Sequence, residues 1–370
     1  MRSAGFEPAI ILEKLNPLFI LRRVNEVVHS NGQVRKDYLF VVAAISALIV
    51  SSSSIGNYGY YGGSNLAYGQ TASDQTNSVN LQDVPLEKVQ VGDIEMAYKM
   101  FGKGDPILLI MGLGGGMNGW PSSTLEELSS SNHTVIIFDN RGVGNTTTGA
   151  KPFSIQQFAN DTAGLLDGLK LQKVDVLGYS MGSFVAQQLT LTHPEKVNRL
   201  ILHGASCGGK EGISPSPEIV ELGTRFANSA VNNTPIEPQE WKAALSASLG
   251  PTWVKLHPDS IETISTNATD LLSGVTPNVY AQQFNAVLNW YSSDWSGVCS
   301  QLPNISKPTL IITGTDDISV PAANSLILAQ KIPGAWLVQI QGAGHALMSQ
   351  YPDEFNKVLQ TFLSTTTTPT

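Results

Sequence analysis

Cysteine and charge are scarce in this chain. Its 370 residues include only two cysteines, Cys207 and Cys299, which excludes a disulfide scaffold and a four-thiolate zinc site. Spacing alone does not bring the two together, so free buried thiols are the expected state. Charged residues make up 14%, well below the usual quarter, which argues against a coiled coil or a charged disordered tail. The net charge is −8, so the clustered Lys and Arg of a nucleic-acid-binding surface are missing too. There is no metal-ligand spacing, dinucleotide glycine fingerprint or P-loop, and no cofactor or metal is expected. What the chain does have is 42% hydrophobic residues, 34 Gly and 20 Pro. That suffices for a large core, either as two domains or as one α/β unit with an insertion.

The N-terminal part differs from the rest. Residues 1–36 carry six Lys/Arg against three Glu, whereas from Gln70 onward 16 basic residues face 26 acidic ones. Between them lies LFVVAAISALIV at 39–50, too short for a bilayer span of about 20 residues but suited to the apolar region of a secretory signal. Residues 1–69 are therefore expected to be a leader, with a signal peptide or signal anchor followed by a Gly/Ser/Tyr-rich linker. A start at Val34 would give that signal its usual short basic segment. The protein is expected to be exported, extracellular or anchored to the outer face of the cell membrane. Six Asn-x-Ser/Thr sequons (Asn132, Asn145, Asn160, Asn232, Asn267, Asn304) add only weak support, because an Asn- and Thr-rich chain yields several by chance.

From about Val84, apolar strands alternate with helices. Val89–Val91 and Ile94–Phe101 read as a strand pair around Gly92-Asp93. Ile107–Met111, Thr134–Phe138, Val174–Leu177, Leu200–Leu202, Leu310–Ile312 and Trp336–Ile340 read as buried strands. Ile155–Leu169, Met181–Leu191, Ala322–Gln330 and Asp353–Phe362 read as helices. The pattern predicts an α/β fold whose mostly parallel sheet is covered by helices on both faces. The alternation stops from 208 to 307, a helix-leaning stretch rich in proline that holds four of the six tryptophans (Trp241, Trp253, Trp290, Trp295). It reads as a helical lid inserted between two strands, its tryptophans packed mostly among themselves, with one or two facing a cleft. The core then comprises 84–207 and 308–365.

Gly178-Tyr179-Ser180-Met181-Gly182 follows a predicted strand and opens a predicted helix. This is the G-x-S-x-G nucleophile elbow in its required context. A Cβ on either flank would clash in so tight a turn, and the turn pushes the Ser180 hydroxyl out beside a helix N-terminus. A serine hydroxyl is a weak nucleophile until a base takes its proton and an acid orients that base. Two later strands end in polar residues, Gly314-Thr315-Asp316-Asp317 and Gly342-Ala343-Gly344-His345. The carboxyl ends of parallel strands are where open α/β sheets bind ligands.

Together with Met111-Gly112-Leu113-Gly114 and Asp139-Asn140-Arg141-Gly142-Val143-Gly144, these stretches make residues 84–362 resemble the α/β-hydrolase fold family, of the lidded esterase and enol-lactonase kind. The resemblance implies a Ser180–His345–Asp317 triad, with Asp317 placed by the G-x-x-D-x-x-x-P box and Asp316 left to cap or solvate the same turn. It implies an oxyanion hole formed by the N–H groups of Leu113 and Met181. The family's usual His-Gly-x reads Met111-Gly112-Leu113 here, so other hydrogen bonds must prop that loop. Arg141 is expected to order its own loop rather than touch substrate. His193, His203 and His29 are expected to take no catalytic part.

The implied function is a serine hydrolase, most concretely a carboxylic ester hydrolase acting through an acyl-enzyme on a small, apolar ester or related acyl substrate. Any membrane contact would come only through the N-terminal anchor. Relatives with the same triad run cofactor-free halide peroxidation, C–C bond hydrolysis, thioester hydrolysis or proline release. A serine at the elbow disfavours dehalogenase and epoxide hydrolase chemistry, which use aspartate there. A non-catalytic binding protein retaining the fold is the reading from another class.

Overall fold

Single-residue steps along the central strands decide which face of the sheet each side chain joins. In β4 (Asp105–Ile110), Ile107 and Leu109 join one buried cluster, whereas Leu108 and Ile110 join the other. A strand apolar at every position is thus one covered on both faces, and β8 (Thr309–Gly314) is buried throughout. The computed structural model describes the backbone of residues 19–23 and 230 and, with side chains, residues 79–229, 231–232, 234, 236–259, 274–295 and 297–365.

The remaining strands are β1 (Phe19–Arg23), β2 (Glu87–Val91), β3 (Ile94–Gly102), β5 (His133–Phe138), β6 (Val174–Tyr179), β7 (Val197–His203) and β9 (Trp336–Ile340). They form one sheet in the order β1-β9-β8-β7-β6-β4-β5-β3-β2. The strands from β5 to β9 in that order, by way of β4, pair in parallel, and β2, β3 and β1 are antiparallel additions at the edges. One face is covered by α2 (Ile155–Gly168) and α3 (Met181–Thr192), the other by α1 (Ser122–Ser130) and α10 (Pro352–Leu363). Helix α8 (Ala323–Lys331) joins the first face and the short α9 (Leu347–Gln350) the second.

Three features depart from the sequence reading. Phe19–Arg23, expected to lie outside the fold with the rest of the leader, pair in register with β9. The unpaired N–H and C=O groups of an edge strand offer a template on which a further extended segment can pair through its backbone. The apolar run at 39–50, Val34 and the expected cleavage region lie outside the described residues. Helix α1 was not anticipated, because it is short, polar and begins directly after Pro121. Finally, Cys207 and Cys299 are not free thiols. They form a disulfide with Cα atoms 5.0 Å apart across a sequence separation of 92.

That disulfide closes the base of the insertion between β7 and β8. The insertion contains α4 (Pro217–Asn232), α5 (Pro238–Leu249), α6 (Pro251–Leu256) and α7 (Pro277–Trp290), each opened by a proline, whose missing N–H costs nothing in a first turn. Three of the four tryptophans pack away from the cleft, though Trp290 does so against α3 of the core and not within the insertion. Trp290 is buried and stacks on Phe184, Trp295 lies against Trp290, and Trp253 stacks on His257.

Candidate active site

The strand order reverses at β4, whose neighbours are β5 and β6, and the crevice outside the carboxyl ends at such a reversal is where ligands bind in these sheets. Every residue implicated by sequence follows one of those ends. Met111–Gly116 follow β4, Ser180 follows β6, Asp317 follows β8 and His345 follows β9.

The elbow is as tight as its glycines suggested. Ser180 sits at φ 54°, ψ −123°, a conformation costing about 1–3 kcal/mol that only the surrounding structure can maintain. A Cβ on Gly178 would lie 2.4 Å from the Gly182 carbonyl oxygen, and one on Gly182 only 2.0 Å from that of Ile110. The Ser180 N–H donates to the His203 carbonyl at 2.9 Å, and the Ser183 hydroxyl donates to the Ser180 carbonyl at 2.6 Å. The turn is thereby held from both sides.

Three side chains far apart in sequence meet here. His345 Nε2 lies 2.8 Å from Ser180 Oγ, and His345 Nδ1 lies 2.7 Å from Asp317 Oδ2. Asp317 and His345 are both buried. The other Asp317 oxygen accepts the Val320 N–H at 2.9 Å, fixing the carboxylate plane. Asp316 takes no part. Its carboxylate accepts the Thr315 hydroxyl at 3.2 Å within its own turn and the Thr252 N–H at 3.1 Å in the first turn of α6, so the helix it caps belongs to the insertion and not to the turn expected. Gly204, just beyond β7, was missed by sequence. At φ +60° it leaves the space that His345 occupies, and a Cβ there would lie 2.7 Å from His345 Cε1. A glycine directly after a buried strand was the available signal.

His203 is a different kind of histidine. Neither ring nitrogen has a hydrogen-bond partner among the described residues, and burial, with His345 nearby, pushes its pKa down to about 3. It is a neutral ring packed between Tyr179 and Phe355.

The loop after β4 turns back beside the nucleophile. Gly115 N–H donates to the Gly112 carbonyl at 3.2 Å, closing a turn with Leu113 and Gly114 at its corners, and Gly114 takes φ +71°, as the second corner of such a turn requires. Gly112 passes so close that a Cβ would sit 3.0 Å from Ser180 Cβ. Among the described residues no acceptor is found for the N–H of Leu113 or Met181, both of which line the cavity over Ser180. The props that replace the family's histidine are Asn140 Nδ2, donating to the Met111 carbonyl at 3.3 Å, and Gln283 Oε1, accepting the Gly114 N–H at 2.9 Å. Asp139 secures the end of the loop by accepting the N–H groups of Met117 and Asn145, and burial raises its pKa.

Arg141 does not reach the cavity. It is fully buried, with all five donors used: two to Asp93, two to Asp161 and one to the Thr148 carbonyl. It ties the loop after β5 to the β2–β3 turn and to α2.

A cavity of about 710 Å³ opens above Ser180 and His345, within the usual range for small-molecule sites. Its far wall comes from the insertion and includes Leu222, Phe226, Trp241, Phe284 and Tyr291. Trp241 is thus the one insertion tryptophan facing the cleft. Among the described residues no Lys or Arg lines the cavity, and Asp139 is its one carboxylate. No group of three or more His, Cys, Asp or Glu suited to a metal occurs among the described residues. The arrangement can hand a serine proton to a histidine and offer two N–H groups to a developing oxyanion.

Comparison with known proteins agrees with this fold. A hydrolase of 2-hydroxy-6-oxononadienedioate and 2-hydroxy-6-oxononatrienedioate from Pseudomonas putida is 27% identical over 298 residues, covering 80% of this chain and 98% of that protein. A poly(3-hydroxyalkanoate) depolymerase from Ectopseudomonas oleovorans is 29% identical over 229 residues, covering 62% of this chain and 74% of its own length. Among solved structures, a thermophilic esterase from Thermogutta terrifontis superposes with a TM-score of 0.61 at 26% identity, covering 75% of this chain and 98% of that one. Residues 105–350 match the family described as the alpha/beta hydrolase fold. The chain belongs to the α/β hydrolase fold family.

Proposed function

We propose that this protein is a serine hydrolase cleaving carboxylic esters of uncharged, largely apolar acids. The observation that carries the reading is the relay from Ser180 Oγ to His345 Nε2 at 2.8 Å and from His345 Nδ1 to Asp317 at 2.7 Å, opposite two N–H groups with no acceptor among the described residues. His345 takes the Ser180 proton as the oxygen attacks the ester carbonyl. Asp317 holds the imidazole in the required tautomer and stabilises the imidazolium. The Leu113 and Met181 N–H groups receive the oxyanion, His345 protonates the departing alcohol, and water repeats the cycle on the acyl-enzyme. The helical insertion acts as a lid that supplies the acyl-binding wall.

The cavity lining favours a neutral substrate. A dienedioate, named for the Pseudomonas putida relative, carries two carboxylates, and among the described residues no Lys or Arg lines this cavity to receive them. Export is part of the reading, because a disulfide at the base of the insertion suits an oxidising compartment. Ser180→Ala is expected to lower hydrolysis of a short p-nitrophenyl ester by about 10⁴-fold or more, with circular dichroism unchanged. Undiminished turnover in that variant would remove the reading.

A further inference from the structure

Helix α7 belongs to the insertion, and its inward face runs through Val279, Gln283, Ala286 and Trp290, all buried. Three of these are apolar. The fourth is a carboxamide with no exposure to solvent, whose Oε1 accepts the Gly114 N–H at 2.9 Å across a separation of 169 residues. Its Nε2 has no partner among the described residues.

A buried amide with an unmade donor costs about 1–3 kcal/mol, more than one neutral hydrogen bond returns. An apolar side chain of the same length would serve the packing better. The gain from Gln283 must therefore lie where its one bond falls, and that is the corner next to Leu113. Leu113 and Gly114 are the two corners of a single turn, so a bond that holds the peptide between them also restrains the Leu113 backbone angles, and through these the preceding peptide, which carries the Leu113 N–H. The other side of that turn is held through Asn140 to the Met111 carbonyl, one residue before Gly112.

We infer that Gln283 is a positioning residue that aims the Leu113 N–H at the oxyanion, making the oxyanion hole dependent on the insertion being seated. This rests on the serine hydrolase reading. The loop after β4 lacks the usual histidine prop, and a side chain from the insertion replaces it. Substrate held beneath the insertion thus meets a completed hole, whereas an unseated insertion leaves one donor free to turn away.

The test is Gln283→Met, which keeps length and packing but removes the acceptor, assayed on a p-nitrophenyl ester with wild type and Ser180→Ala in parallel. The expected result is a kcat lower by about 10- to 100-fold, since small misplacements of a catalytic group cost that much, with KM within about threefold of wild type. A trifluoromethyl ketone, which forms a tetrahedral adduct with the serine, should lose affinity by the same factor as kcat/KM. The melting temperature should be unchanged or higher, which a purely structural role would not give. Unchanged kcat and ketone affinity would overturn the inference while leaving the hydrolase reading intact, and so would a loss confined to KM or to folding. In wild-type protein the Gly114 amide should exchange with deuterium more slowly than those of Leu113 and Met181. Equal exchange would overturn the inference without any variant. Should wild type itself show no hydrolysis, it is the underlying reading that fails.

Discussion

Arg141 is a guanidinium with no water to serve its five donors, and two carboxylates and a carbonyl take that place. Removing it strands Asp161, which is buried beside it. Arg141→Met should cost about 3–5 kcal/mol, the usual penalty for leaving one partner of a buried pair uncompensated, as read from urea denaturation. The same cluster sets an acid limit. The Arg141 hydrogen bonds, with help from the Lys151 and Ala150 N–H groups, hold the Asp93 carboxyl well below the usual carboxylate range. A lowered folded pKa contributes stability that is present above the unfolded value of about 4 and lost as pH falls through the folded one. Asp93→Asn should therefore be less stable than wild type at pH 7, and the gap should narrow as pH drops below about 4. A gap independent of pH would refute the assignment. Single residues were legible in the sequence where chemistry demanded a local pattern. Ser180, Asp317 and His345 each stand in a short glycine-marked motif. Gln283 and Gly204 do not, because what makes them matter is a neighbour more than a hundred residues away in the chain.

Helices and strands were legible to the extent that burial wrote their periodicity. The central strands carry unbroken apolar runs such as Ile107–Ile110 and Leu310–Ile312 because both faces are covered, and α2 shows its inward face at Ile155, Phe158, Leu165 and Leu166. Helix α1 was not legible, since only Thr124, Leu125 and Leu128 are buried in it. The disulfide was not legible either. Two cysteines 92 residues apart meet only because α4–α7 leave the sheet after β7 and return to it at β8. That bond defines the insertion as an element. In the unfolded chain it closes a loop of about 90 residues, which the chain-entropy account values at roughly 4.6 kcal/mol. Replacing both cysteines by serine should lower the urea-denaturation free energy by about 2–5 kcal/mol, and amide exchange in α4–α7 should rise before that in the central strands. Reductant should reproduce both effects in wild type. If stability is the same with and without reductant, the insertion is held by its packing alone.

At the scale of the whole molecule, the scarcity of charge becomes a statement about substrates. From Gln70 onward the sequence carries 16 basic and 26 acidic residues, yet none of the basic ones lines the cavity above Ser180. Residues 260–273 of the insertion, outside the described set, contain no Lys or Arg in sequence. An anionic substrate thus meets two obstacles of different kind. The long-range repulsion of an acidic protein is screened by salt. The desolvation of a carboxylate against Leu222, Phe226, Trp241 and Phe284 is not, and it costs several kcal/mol when no partner is present. Two p-nitrophenyl esters of equal chain length separate the effects, hexanoate and the monoester of adipic acid. The hexanoate should be favoured in kcat/KM by about 100-fold or more, the factor that roughly 3 kcal/mol of unrepaid desolvation gives. Raising salt to about 1 M should narrow the gap only slightly, because the Debye length there, about 3 Å, removes the distant repulsion alone. Equal rates on the two esters would mean that the acyl chain does not enter this cavity. A preference abolished by salt would place the discrimination on the surface instead of in the apolar wall.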